Sequence, residues 1–133
     1  MRTIKFRGKD IIHNKWLYGL YMPPFYEKDT MSYIYEIVEC ENHFEYISTQ
    51  VTTESVGQFT GLIDNNGVEI YDGDILELDG VYIVIIYNEK EAAYYAKSKK
   101  SEFRIWQELI DDFNLKVVGN TSDNPELINK NDK

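Results

Sequence analysis

The chain of 133 residues is long enough for one domain or two very small ones, and it carries a net charge of −9 at neutral pH. With 43% hydrophobic and 14% aromatic residues, it is too apolar for a disordered chain. The 23 acidic residues outnumber the 14 basic ones, which disfavours non-specific binding to DNA or RNA, because such binding neutralises phosphates with Lys and Arg.

The sequence shows no signal for export or for membrane insertion. No apolar run follows the first residues, and no stretch approaches the roughly 18 consecutive apolar residues of a membrane-spanning helix. The single cysteine, Cys40, has no partner for an internal disulfide, which is typical of a reducing compartment. We therefore expect a cytoplasmic protein, and we interpret Cys40 as a small core hydrophobe.

Charge is unevenly distributed along the chain. Residues 2–15 contain five basic side chains and one acid, whereas residues 27–54 contain seven acids and only Lys28 as a base. Solvated loops and strand edges explain this pattern most simply. The alternative is that basic segments of one subunit meet acidic segments of another. A second basic cluster consists of Lys97, Lys99, Lys100 and Arg104.

The first part of the chain has the alternating pattern of β-strands. Residues 4–6 alternate with period two, and residues 13–15 predict a tight turn, with Ile11 and Ile12 in the strand before it. The proline pair at 23–24 ends the next strand, because proline cannot donate to a ladder.

A second hairpin is predicted from two aromatic and β-branched runs, at 33–39 and 44–51. Strand alternation near its turn would place Glu41, His43 and Glu45 on one face, where they could ligate a metal. A solvated polar face is the favoured interpretation, and we assign no metal site.

The middle of the chain predicts a hairpin with a defined register. Asp79-Gly80 between two apolar runs is the strongest short-range hairpin signal, and a two-residue turn pairs Leu78 with Val81. The strand at 81–87 is then expected to be buried on both faces, which requires further strands around it, as in a small barrel or roll. The face predicted to point inward consists of Leu76, Leu78, Val81, Ile83 and Ile85.

Residues 101–113 have an ambiguous pattern. Apolar residues recur at helical spacing over 106–113, whereas 102–105 alternate like a strand, so both interpretations stay open. A final short strand is predicted at 115–118, and a short helical segment at 125–128.

Five separated segments carry a resemblance to a known family. They are IKFRG at 4–8, WLYG at 16–19, VGQFTGLIDNNGVEIYDGDI at 56–75, VVGN at 117–120 and NPEL at 124–127. In order and spacing they resemble the YopX family of phage and prophage proteins over nearly the whole chain.

The resemblance implies a mainly β fold with an SH3-like barrel or roll in its C-terminal part. It also implies phage or prophage origin in low-GC Gram-positive bacteria, so the expected location is the cytoplasm of a bacterial host cell, and it supplies no catalytic residues. We expect an N-terminal β-hairpin region at 1–55, the barrel or roll at 56–128, a polar tail at 129–133, and at most one or two short helices.

No catalytic constellation is evident. His13 and His43 lie in no metal-binding spacing, and there is no phosphate-binding glycine loop or nucleophile elbow. A hydrolase using Asp72, Asp74 or His43 is the least favoured hypothesis. We therefore predict a non-enzymatic protein without a cofactor.

Aromatic residues are abundant, with 11 tyrosines, and Tyr and Trp are enriched at protein interfaces. The leading hypothesis is a module that binds a host or phage protein, or itself as a homo-oligomer. The alternatives are a nucleic-acid-associated SH3-like module using the second basic cluster, or an acidic DNA mimic acting on a host DNA-binding protein. The candidate binding residues are Tyr71, Asp72, Asp74, Tyr94, Tyr95 and Trp106.

Overall fold

The computed structural model describes residues 1–24 and 31–129, which contain ten β-strands and two short helices. The predicted mainly β class is therefore confirmed. The chain forms two compact units, Met1–Gln58 and Phe59–Lys133. The elements are β1 (Phe6–Asp10), β2 (Trp16–Met22), β3 (Ser32–Glu39), β4 (Phe44–Ile63), β5 (Glu69–Tyr71), β6 (Asp74–Leu78), β7 (Val81–Asn88), β8 (Ala93–Lys97), β9 (Glu102–Arg104), α1 (Gln107–Asp112), β10 (Lys116–Asn120) and α2 (Glu126–Asn129).

The first unit is built around a closed ring of strands. Each of β1, β2, β3 and β4 pairs antiparallel with the next, and β4 pairs back with β1. The ring encloses a small core of Leu17, Ile34 and Val51. Strand β2 ends at Met22, as the proline pair predicted.

Two glycines allow the strands of this ring to approach closely. A Cβ atom at Gly8 would lie 2.8 Å from Cγ2 of Val51, and one at Gly19 would collide with the backbone carbonyl of Tyr35. Glycine at these strand positions thus removes a side chain where another chain segment occupies the space.

A bulge in β4 permits the ring to close. The pairing of β1 with β4 shifts register between Arg7 and Lys9. Ser55 fills the irregular segment, because its hydroxyl accepts a hydrogen bond from the Lys9 N–H at 2.8 Å and donates one to the Thr52 carbonyl at 2.6 Å. The otherwise unpaired backbone groups are thereby satisfied.

The first turn differs from the prediction, which was wrong to place Ile11 and Ile12 in a strand. Strand β1 ends at Asp10, and both isoleucines are exposed in the turn. The Asp10 carboxylate accepts hydrogen bonds from the N–H groups of Ile12 and His13, at 2.8 and 3.3 Å. These side-chain bonds compete with the β-ladder and end it.

The second unit contains an antiparallel sheet with the strand order β10-β6-β7-β8-β9. The end of β4 pairs with β5 in the same unit, with Phe59 opposite Tyr71. The core cluster consists of Ile70, Leu76, Ile83, Ile85, Ala96, Ile105, Ile110 and Leu115.

The predicted hairpin of β6 and β7 is confirmed in its register. Leu78 pairs with Val81 and Leu76 with Ile83. Asp79 and Gly80 have φ angles of 47° and 82°, as a type I′ turn requires.

Strand β7 is buried on one face only, so the prediction of two buried faces was wrong. Ile83 and Ile85 are buried, whereas Tyr82, Val84 and Ile86 are half-buried. The face of the sheet that carries Tyr82, Val84 and Ile86 also carries exposed charged residues of neighbouring strands, which keep this face partly in contact with water. These charged residues are Glu77, Lys97, Glu102 and Arg104.

The ambiguous segment contains both of its predicted structures in succession. Strand β9 is followed by α1, with Trp106 in extended conformation between them and Ile110 buried. The predicted tail lies outside the described residues, apart from Asn129 at the end of α2. Within the described residues the helices are α1 and α2, and neither is long and apolar enough to cross a membrane.

Candidate functional site

The hairpin of β3 and β4 extends beyond the paired part of the ring. Residues 36–39 pair with residues 44–47, whereas β2 pairs with β3 only up to Tyr35 and β1 reaches β4 only from Val51. Among residues 1–24 and 31–129, no other strand pairs with either edge of this segment. We call residues 36–47 the acidic arm.

The acidic arm exposes apolar side chains on both faces. Ile37 and Tyr46 are directly opposite each other and are 59% and 66% exposed, and Phe44 on the same face is 67% exposed. Val38 and Ile47 lie exposed on the other face. Contiguous apolar surface of this kind is typical of protein interaction sites.

The arm is also strongly acidic. It carries four glutamates, and the sequence contains no Lys or Arg between Lys28 and Lys90. Like charges repel across an interface, so this surface favours a basic partner and disfavours a second acidic arm. The glutamates are Glu36, Glu39, Glu41 and Glu45.

Three possible metal-ligating side chains converge at the tip of the arm. The ligand atoms of Cys40, His43 and Glu45 all lie within 4.8 Å of one another. Sequence alternation named Glu41 in place of Cys40, but β4 begins only at Phe44, so Glu41 belongs to the turn. Cys40 is partly exposed and belongs to neither core cluster, which corrects its interpretation as a core hydrophobe.

The first group of predicted site residues lies at the bend between β5 and β6. Tyr71 and Asp74 are buried, and Asp72 between them is half-buried. The Asp74 carboxylate accepts a 2.7 Å hydrogen bond from the Tyr71 N–H. The structure thus brings these three residues together, with Asp74 stabilising the turn.

Asp64 has a structural role that sequence reasoning missed. Its Oδ1 accepts hydrogen bonds from the N–H groups of Asn66 and Val68, both at 2.9 Å, and its Oδ2 accepts one from Val117 at 3.1 Å. The sequence does contain a signal for the turn at residues 64–67, because an aspartate three residues before a glycine is typical of a turn. The distant bond to Val117 has no local signal.

The second group of predicted site residues does not share one face. Tyr94 packs against the core cluster and contacts Tyr87 edge-on, with ring centroids 5.2 Å apart. Tyr95, as its neighbour in β8, points to the opposite face, where it is directly opposite Arg104. Trp106 is half exposed after β9. Only Tyr95 therefore joins the basic residues Lys97 and Arg104 on one sheet face.

Residues 5–129 match the family described as "YopX protein". The chain belongs to the YopX family. The crystal structure of protein EF1440 from Enterococcus faecalis is similar to this YopX chain, with a TM-score of 0.65 and 25% sequence identity. The similarity covers 96% of this chain and 99% of that one. A search of curated proteins found no match.

Proposed function

We propose that this YopX-family protein is a non-enzymatic self-assembly module, in which the acidic arm of one copy docks on the second basic cluster of another. The observation that carries the proposal is the exposed apolar surface on both faces of the arm. Phage or prophage origin, implied by the family resemblance, and a cytoplasmic location are part of the proposal.

The apolar side chains supply the driving force for association. Removing Ile37, Phe44 and Tyr46 from water is favourable by about 25 cal/mol for each Å² of apolar surface buried. An isolated two-stranded ribbon buries neither face by itself, so a partner surface stabilises it. Aromatic residues at the centre of such a patch are typical binding hot spots.

Charge complementarity selects the partner. The second basic cluster contains four cationic residues, and Lys97, Lys99, Lys100 and Arg104 are all exposed. The acidic arm and this cluster belong to the same sequence, so two copies present complementary surfaces. Pairing of two arms with each other is opposed by their glutamates.

The strand edges of the arm add directional contacts. Residues 36–39 and 44–47 each present one row of backbone N–H and C=O groups that pairs with no other described strand. Such edges accept an added strand or loop backbone from a partner.

Light scattering across a concentration series tests the proposal. We expect a mass above that of one chain, falling toward the monomer as salt rises, because screening weakens charge attraction. The double variant Phe44→Ser, Tyr46→Ser should be monomeric, whereas Phe113→Ser, which removes a phenylalanine that is 58% exposed, should assemble normally. A monomeric native chain throughout would overturn the proposal.

A second candidate function is single-stranded nucleic-acid binding at the sheet face of Tyr95. The pairing of Tyr95 with Arg104, with Lys97 on the same face, supports it, because bases stack on aromatic rings beside cations. Fluorescence anisotropy with a labelled single-stranded oligonucleotide tests it. Binding that Tyr95→Ala abolishes and Tyr94→Phe retains would support it, and no binding would exclude it.

A further inference from the structure

We propose that the tip of the acidic arm is a binding site for a zinc-type divalent transition-metal ion, with Cys40, His43 and Glu45 as its ligands. The inference goes beyond the proposed assembly and does not depend on it.

The strand register explains why these three side chains converge. Glu39 and Phe44 form the last ladder pair, so Cys40 and His43 face each other across the turn. The Cys40 N–H donates a 2.7 Å hydrogen bond to the His43 carbonyl, which fixes this closing pair. Glu45 lies two residues beyond His43 and therefore on the same side of the hairpin.

The separations suit a metal ion after small side-chain rotations. Zinc lies about 2.0–2.3 Å from N, O and S ligands in a tetrahedron, which places the ligand atoms roughly 3.3–3.8 Å apart. The three ligand atoms are already within 4.8 Å of one another. Nε2 of His43 is 2.8 Å from Oε1 of Glu45, so a metal ion between them needs that contact to open by about 1 Å or less.

The donor set determines the class of metal. A thiolate and an imidazole favour Zn²⁺ or Co²⁺ over Mg²⁺ and Ca²⁺, which prefer oxygen ligands alone. Three protein ligands leave one coordination position for water. Binding exchanges the thiol proton of Cys40 for the metal ion, and the proton leaves to solvent.

The surrounding charge favours a cation. Three further glutamates of the arm, Glu36, Glu39 and Glu41, lie on the same hairpin, and residues 29–89 contain no Lys or Arg. The negative potential raises the local concentration of divalent ions. It would do so for any divalent cation, so selectivity for zinc rests on Cys40 and His43.

Titration of the reduced, full-length chain with Co²⁺ tests the site, because a thiolate ligand gives a charge-transfer absorption band and tetrahedral cobalt gives visible bands. We expect both bands at one equivalent of Co²⁺ and their loss on adding Zn²⁺. Loss of even an outer partner of a metal ligand costs about 10- to 100-fold in affinity, so Cys40→Ser, His43→Ala and Glu45→Gln should each cost at least that.

Glu41→Gln is the matched control, since it removes a carboxylate of the same turn that lies outside the ligand cluster. It should change the affinity for Zn²⁺, measured by calorimetry, less than about threefold, because it removes one screened surface charge. Absence of the charge-transfer band would overturn the site. Equal losses for Glu41→Gln and Glu45→Gln would also overturn it, because they would show general attraction to an acidic surface. The cobalt absorption bands and the affinity for Zn²⁺ are also measured in the Phe44→Ser, Tyr46→Ser variant, which is expected to be monomeric. This separates metal binding from assembly.

Discussion

The carboxylate of Asp64 accepts a hydrogen bond from the backbone N–H of Val117, 53 residues further along the chain. The same side chain closes its own turn through Asn66 and Val68. One buried carboxylate therefore fixes both a local loop and the attachment of β10.

Asp64→Ala should destabilise the protein by about 2–4 kcal/mol, because three backbone N–H groups lose a charged acceptor. Chemical denaturation measures the change. Asp112→Ala, which removes an exposed aspartate of α1, should shift stability by about 0.5 kcal/mol or less. Similar losses for the two variants would contradict the role assigned to Asp64.

Gly80→Val should cost about 1–3 kcal/mol, the strain of a β-branched residue at positive φ. Apart from Gly80 itself and its two chain neighbours, no residue has an atom within 4 Å of a Cβ built at Gly80, so the cost arises from the backbone conformation and not from a clash. Gly80→Asn should be much milder, because asparagine adopts the left-handed region readily. Urea denaturation of both variants decides the matter, and equal stabilities would refute the strain argument.

The hydrogen bond from His13, followed by that from the Ile12 N–H, lowers the pKa of Asp10 below its ordinary value. A carboxyl whose pKa is lower in the folded chain stabilises the fold above its unfolded pKa, and this contribution is lost as pH falls below about 4. His13→Ala should raise the pKa of Asp10 and reduce the acid sensitivity of unfolding. Titration by NMR measures the pKa, and His43→Ala should leave it unchanged.

Random duplex DNA or RNA should not bind this chain at physiological salt, because its net charge of −9 repels phosphates. A gel-shift titration checks this. A micromolar complex with a steep dependence on salt would contradict this expectation.

The turn between β6 and β7 was the most predictable part of the fold, whereas the first turn was not. Asp79-Gly80 determines the β6–β7 register, because in a two-residue turn the residues on either side of the turn must pair with each other. The ring closure between β1 and β4 was not predictable, because it depends on a bulge that Ser55 fills. The hydroxyl of Ser55 accepts a hydrogen bond from the N–H of Lys9, which lies 46 residues earlier in the sequence. No sequence pattern marks such distant pairings.

The candidate sites were less predictable than the fold, because they depend on where strands begin and which face they present. Strand alternation predicts Glu41 beside His43 and Glu45, but β4 begins only at Phe44, and Cys40 lies beside them instead. Tyr94 and Tyr95 are adjacent in sequence and are predicted to belong to one candidate site, but adjacent residues of a strand point to opposite faces of the sheet.

The pairing of β1 with both β2 and β4 sets an order of events during synthesis. Phe6 pairs with Gly19, 13 positions further along the chain, and with Gln58, 52 positions further along. The β1–β2 hairpin therefore leaves the ribosome with both outer edges open, and the edge of β1 stays exposed to other nascent strands until β4 emerges. Translational pausing between these two points would lengthen that exposure and raise the yield of misassembled chains.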